Sequence, residues 1–244
     1  MSFDSWNNIN EIDTILYYLF GFVSNDSRDK ILEQIISKAY GDATMFKAFN
    51  MQIDKGWKDQ AISVKRDAMD LIKRSLDCFE KLDILSESVF DEWHNSVCGE
   101  LKEIYKNFKR EGIESFSYGN AQKLVNMTMK YLYVISKVFQ GKCVEIKELL
   151  VAVEKARCFL HVPIDNKIID AIWRETNINL PIKENVHPNR RKNYIIPSEY
   201  VVGWSKWIDT QYLEIQKELR NFILESDGIP IEWEEVHWIE AAKE

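Results

Sequence analysis

No run of about 18 consecutive apolar residues occurs in the chain, so no segment is expected to span a bilayer and no membrane partner is expected. The opening stretch MSFDSWNNINEID carries no basic region ahead of an apolar one, so no signal peptide is expected. Glycine and proline are scarce, nine and five in 244 residues, and no stretch reads as a flexible linker, a low-complexity run or a repeat. The expectation is one compact domain over residues 1–244, either undivided or parted into two lobes by a cleft near 119–165. The four cysteines (Cys78, Cys98, Cys143, Cys158) form no C-x-x-C pair, which excludes a redox or zinc motif of that kind. They are expected as reduced thiols packing as small hydrophobes in a cytoplasmic protein, a monomer. His94, His161, His187 and His237 make no H-x-x-x-H, and there is neither a Walker loop nor a Rossmann glycine fingerprint. No metal and no cofactor is expected.

What the chain does have is helical periodicity. From 86 to 110 the apolar set Phe90, Trp93, Val97, Leu101, Ile104, Phe108 steps by three and four, with Ser86 placed to cap the start. From 198 to 225 the set Val201, Trp204, Ile208, Tyr212, Ile215, Leu219, Phe222 does the same after Pro197-Ser198. Further helices are expected near 8–23, 28–40, 43–53, 60–81, 144–158, 166–175 and 231–242. Period-two alternation over a strand's length is absent, which makes the fold class all-α, a compact helical bundle. The helix expected over 120–139 leaves no wide polar face, so it should lie at the centre with others packed about it.

Two lysines interrupt that helix, Lys123 and Lys130. An ammonium in apolar surroundings needs a partner or a task, although a lysine near a helix start is ordinarily a solvated charge. Downstream, in LHVPIDNKIIDAIW (160–173), Asp165 sits where the next helix should be capped. The segment 181–197 reads as a long loop bounded by prolines. It gathers Lys183, Arg190, Arg191 and Lys192 against the single acid Glu184, in a chain of formal net charge −7.

YGNAQKLVN (118–126) and PIDNKIIDAI (163–172) together resemble the helix-hairpin-helix DNA glycosylase superfamily. There a glycine-containing hairpin leads into a helix whose early lysine attacks the sugar, and an aspartate follows at the start of another helix. Within that superfamily the chain is similar to the archaeal 8-oxoguanine DNA glycosylases (N-glycosylase/DNA lyases), in which a second lysine follows the catalytic one at the spacing of Lys130 from Lys123. Their chain ends in an acidic residue three positions ahead of a tryptophan. In GIPIEWEEVHW (228–238) Glu234 and Trp238 stand one residue further apart. The likeness covers roughly 86–175 and the last dozen or so residues. Ala121 stands where the usual hairpin has its second glycine. Lys123 and Asp165 are 42 residues apart, more than is usual, so 140–158 is expected as an inserted helix.

The resemblance implies removal of a modified base from DNA, an oxidised purine such as 8-oxoguanine foremost, with Lys123 as nucleophile and Asp165 as its electrostatic partner. Whether AP-lyase activity accompanies base removal stays open. Trp238, Glu234 and Trp93 are the candidates to receive the flipped base. The N–H groups following Gly119, together with Arg190, Arg191 and Lys192, are the candidates to hold phosphate. Two other readings stand beside this one. In a non-catalytic helical interaction module, Lys123 would be exposed and the tryptophans would bind a protein. In a helical ribonuclease toxin, Arg157 and His161 would act together.

Overall fold

The computed structural model describes residues 11–43, 58–82, 86–106, 116–139, 141–184 and 200–243. Among these, nine α-helices form a compact all-α bundle. They are α1 (Glu11–Phe20), α2 (Arg28–Ala43), α3 (Lys58–Lys81), α4 (Glu87–Tyr105), α5 (Tyr118–Val138), α6 (Lys147–Lys155), α7 (Asn166–Glu175), α8 (Asp209–Leu224) and α9 (Pro230–Lys243). One apolar core takes residues from every one of them, from Leu16 on α1 to Ile231 on α9. No described helix is long and apolar enough to cross a membrane.

Local chemistry sets several helix starts. Ser86 accepts the Val89 N–H at the head of α4, as its position in the sequence requires. Ser117 and Asn120 make a reciprocal capping box at the head of α5. Pro230 opens α9, where a missing N–H costs nothing. The central position expected for the lysine-bearing helix holds: α5 packs against α2, α4, α6 and α8, and is buried along most of its length.

Two expectations change. The helix expected over 198–225 begins only at Asp209. Ahead of it, Val201 pairs antiparallel with Ile182, and Trp204–Lys206 make a single 3₁₀ turn. Trp207, in extended backbone, donates its indole N–H to the Val202 carbonyl at 2.7 Å. Val201, Trp204 and Trp207 are all buried, so the segment has helical apolar spacing without a helix; periodicity reports burial, and a short buried irregular segment mimics it. The inserted helix of 140–158 is a 3₁₀ turn (Val144–Ile146) running into the nine-residue α6. The helix expected at 43–53 lies outside the described residues beyond Ala43, which ends α2, and so do Pro197 and Ser198.

Candidate active site around Lys123 and Asp165

The capping box makes Tyr118 the first residue of α5, so YGNAQKLVN is helical throughout and Gly119 stands inside the helix. That corrects the expected turn at this glycine. Its smallness serves packing instead: a Cβ there would overlap the Trp204 carbonyl oxygen, and Ser205 main-chain atoms lie just beyond. The amides expected to hold phosphate are used internally, Asn120 N–H by Ser117 Oγ and Ala121 N–H by the Ser117 carbonyl. Gly119 is therefore a close-approach residue, and the phosphate contact assigned to it is withdrawn.

Starting the helix two residues early carries Lys123 into its second turn, where its side chain is only 7% exposed. Its Nζ donates to the Pro163 carbonyl at 3.0 Å and lies 3.3 Å from Asp165 Oδ2. Asp165 is the N-cap of α7 and accepts the Ile168 N–H on its other oxygen at 3.1 Å. Its side chain, 23% exposed, is the open side of the pair. Burial pulls the Lys123 amine below its ordinary range, against the attraction of Asp165 and Glu234 and with help from Lys130.

Lys130, two turns further along α5, forms an ion pair with Glu234 of α9. Burial raises the Glu234 carboxyl above its ordinary range, while Lys130 and Lys123 oppose the rise. Lys123, Asp165, Lys130 and Glu234 thus form two adjacent ion pairs. Glu234 already accepts a lysine in the free protein. Trp238, 40% exposed on α9, has the Lys167 ammonium 4.2 Å from its ring centre. Trp93 is elsewhere: it packs against Phe79 and Phe90 in the core and donates its indole N–H to the Ser75 carbonyl. That removes it from the base-contacting candidates. Arg190, Arg191 and Lys192 lie outside the described residues.

The arginine and histidine of the ribonuclease reading do not converge. Arg157 is exposed beside Glu154, whereas His161 is buried between Asp91 and Tyr212. His161 belongs instead to a buried polar network that periodicity did not reveal. Its Nε2–H donates to Asp91 Oδ1 at 2.8 Å, and its Nδ1 accepts the Tyr212 O–H at 3.0 Å. Asn126 Nδ2–H reaches the Tyr212 oxygen and Gln122 Oε1, and Asn126 Oδ1 accepts from His94 Nε2 at 2.9 Å. Arg220 closes the network on Asp91 and Glu87. The signal for it was Gln122 and Asn126 four apart on a helix with no wide polar face, which marks polar groups facing inward together.

The sequence matches no protein-family model, no curated protein and no solved structure.

Proposed function

We propose that the protein is a DNA glycosylase of the helix-hairpin-helix type, removing a modified base through Lys123 and Asp165. The observation that carries the reading is the meeting of a buried amine on a central helix with the N-cap carboxylate of a helix 42 residues downstream. Breaking an N-glycosidic bond builds positive charge on the sugar, which the Asp165 carboxylate stabilises. The Lys123 nitrogen lone pair forms a bond to C1′ as the C1′–N bond breaks, and the bonding electrons leave with the base, which takes up a proton. Loss of a proton from the nitrogen and opening of the sugar at its ring oxygen give a Schiff base. Burial of Lys123 favours the neutral amine this step needs.

The arrangement also supports a place for the base. Trp238 offers a partly open aromatic face on the same helix as Glu234. Oxidised purines such as 8-oxoguanine are the favoured class, and the cations of 190–192 are the proposed phosphate contacts. The interaction-module reading needs an exposed Lys123, and the burial of that side chain stands against it.

Borohydride trapping on duplex and single-stranded DNA bearing a panel of modified bases tests the proposal. A covalent adduct on at least one modified base, mapped to Lys123, is expected. No adduct with any of them, under conditions that trap a known lyase, overturns it.

A further inference from the structure

Leu160 to Ile164 run without helical or ladder hydrogen bonds, and all five residues are buried. Main-chain groups of such a strap need partners other than water. Helix α8 supplies two of them, both at Val162, and holds the strap's flanks from one inward stripe, Tyr212, Gln216 and Arg220, set four residues apart and all buried. Arg220 Nη1 donates to the Phe159 carbonyl at 3.0 Å, and the Tyr212 O–H meets His161. The Gln216 carboxamide takes both main-chain groups of Val162: its Oε1 accepts the N–H at 3.0 Å and its Nε2 donates to the carbonyl at 2.7 Å. The next residue, Pro163, has no N–H with which to hold itself in place. Its carbonyl is nonetheless the nearer of the two acceptors of Lys123, 3.0 Å against 3.3 Å for Asp165.

We propose that Gln216 is a positioning residue for the Lys123 amine, acting through the strap. Clamping Val162 fixes the Pro163 carbonyl beside Nζ. A neutral amine has two N–H bonds and one lone pair. With Pro163 O and Asp165 Oδ2 taking the two N–H bonds, the lone pair is left a single direction. The charged groups facing Lys123 are Asp165 at the head of α7, Glu234 on α9 and Lys130 on its own helix; the clamp itself is uncharged. The inference deepens the reading of Lys123 as a nucleophile and rests on it for its functional meaning.

The test needs no DNA. The full-length protein is reductively methylated with formaldehyde and dimethylamine–borane across a pH series, and the extent at Lys123 is read by peptide mass spectrometry. Gln216→Met keeps side-chain length and removes both hydrogen bonds. The loosened strap admits water to the amine, so the labelling midpoint should rise by about one pH unit, a roughly tenfold loss of labelling below it. Gln216→Asn stays uncharged but is one methylene too short to take both Val162 groups, and should move the midpoint in the same direction; it decides alone if the Met variant does not fold. Ile215→Val trims the apolar core while leaving the hydrogen bonds of the strap in place, and should lower the melting temperature with no shift. Unchanged midpoints in the Gln216 variants overturn the proposal, as does an equal shift in Ile215→Val or a wild-type Lys123 that never labels. If the midpoint follows Gln216 while no DNA traps an adduct, the positioning role stands and the glycosylase reading falls.

Discussion

Lys123 and Lys130 share a helix and end in different company. Lys123 has a neutral carbonyl and a partly open carboxylate, whereas Lys130 faces a carboxylate that is almost fully enclosed. Both are ion pairs, but the first is open at Asp165 and the second is enclosed, so in the proposed reaction it is Lys123 that meets the sugar. Lys123→Gln should therefore abolish the borohydride-trapped adduct without unfolding the protein, since the amide, one bond shorter than the lysine, keeps a polar group on the Pro163 side. Lys130→Gln should keep the adduct. It leaves Glu234 buried with a weaker partner, at a cost of about 1–3 kcal/mol in denaturant unfolding. Full trapping by Lys123→Gln would show that another amine is the nucleophile.

Helix α7 depends on Asp165 twice, for its cap and for the partner of Lys123, and two substitutions separate these roles. Asparagine accepts the Ile168 N–H as aspartate does, while alanine cannot. Asp165→Asn should hold the melting temperature while losing trapping, and Asp165→Ala should lose trapping and about 1 kcal/mol of stability. An Asp165→Asn variant that traps normally would remove the carboxylate from the chemistry. Caps of this kind are what made the elements readable: Ser86 and Asp165 stand where helix starts place them. Apolar spacing placed α5 at the centre for the same reason, since a helix with no polar face has nowhere else to go. Spacing misleads where burial occurs without a helix, at Val201–Trp207, and where an inward face is polar. Gln216 and Arg220 fall outside the apolar set of their helix, and a sequence shows residue type and spacing but not the strap that needs their hydrogen bonds. Gly119 read as a turn residue because the Trp204 carbonyl that excludes a side chain there is 85 residues away in the chain.

At the scale of the molecule, a net charge of −7 opposes any polyanion, so the cations of the 181–197 segment should carry much of the phosphate affinity. Neutralising Arg190, Arg191 and Lys192 together should flatten the slope of log affinity against log salt by up to about 0.9 for each phosphate left without its cation, with base preference unchanged. An unchanged slope would place the DNA elsewhere. The buried network makes a second global prediction. His94 and His161, with ring centres 4.4 Å apart, are both held well below the ordinary histidine range, by burial first and then by His161 and Arg220 respectively. Unfolded, each takes up a proton near pH 6.5, while folded it stays neutral to much lower pH, so the unfolded state binds more protons in between. Stability should be flat above about pH 7.5 and fall as pH drops through 6.5, by up to about 1.4 kcal/mol per pH unit for each histidine. The decline should end only below the folded-state values. Glu234, raised by burial, works in the opposite sense as pH falls toward the ordinary carboxylate range. The informative quantity is therefore a difference between proteins. His94→Gln keeps an N–H donor for Asn126 Oδ1 and removes one titrating ring. Its unfolding free energy, measured from about pH 7.5 to about pH 5.5, should fall with a slope shallower than wild type by up to about 1.4 kcal/mol per unit. Parallel curves would mean that His94 takes up its proton in the folded protein as easily as in the unfolded chain, and that the network tolerates a charge at its centre.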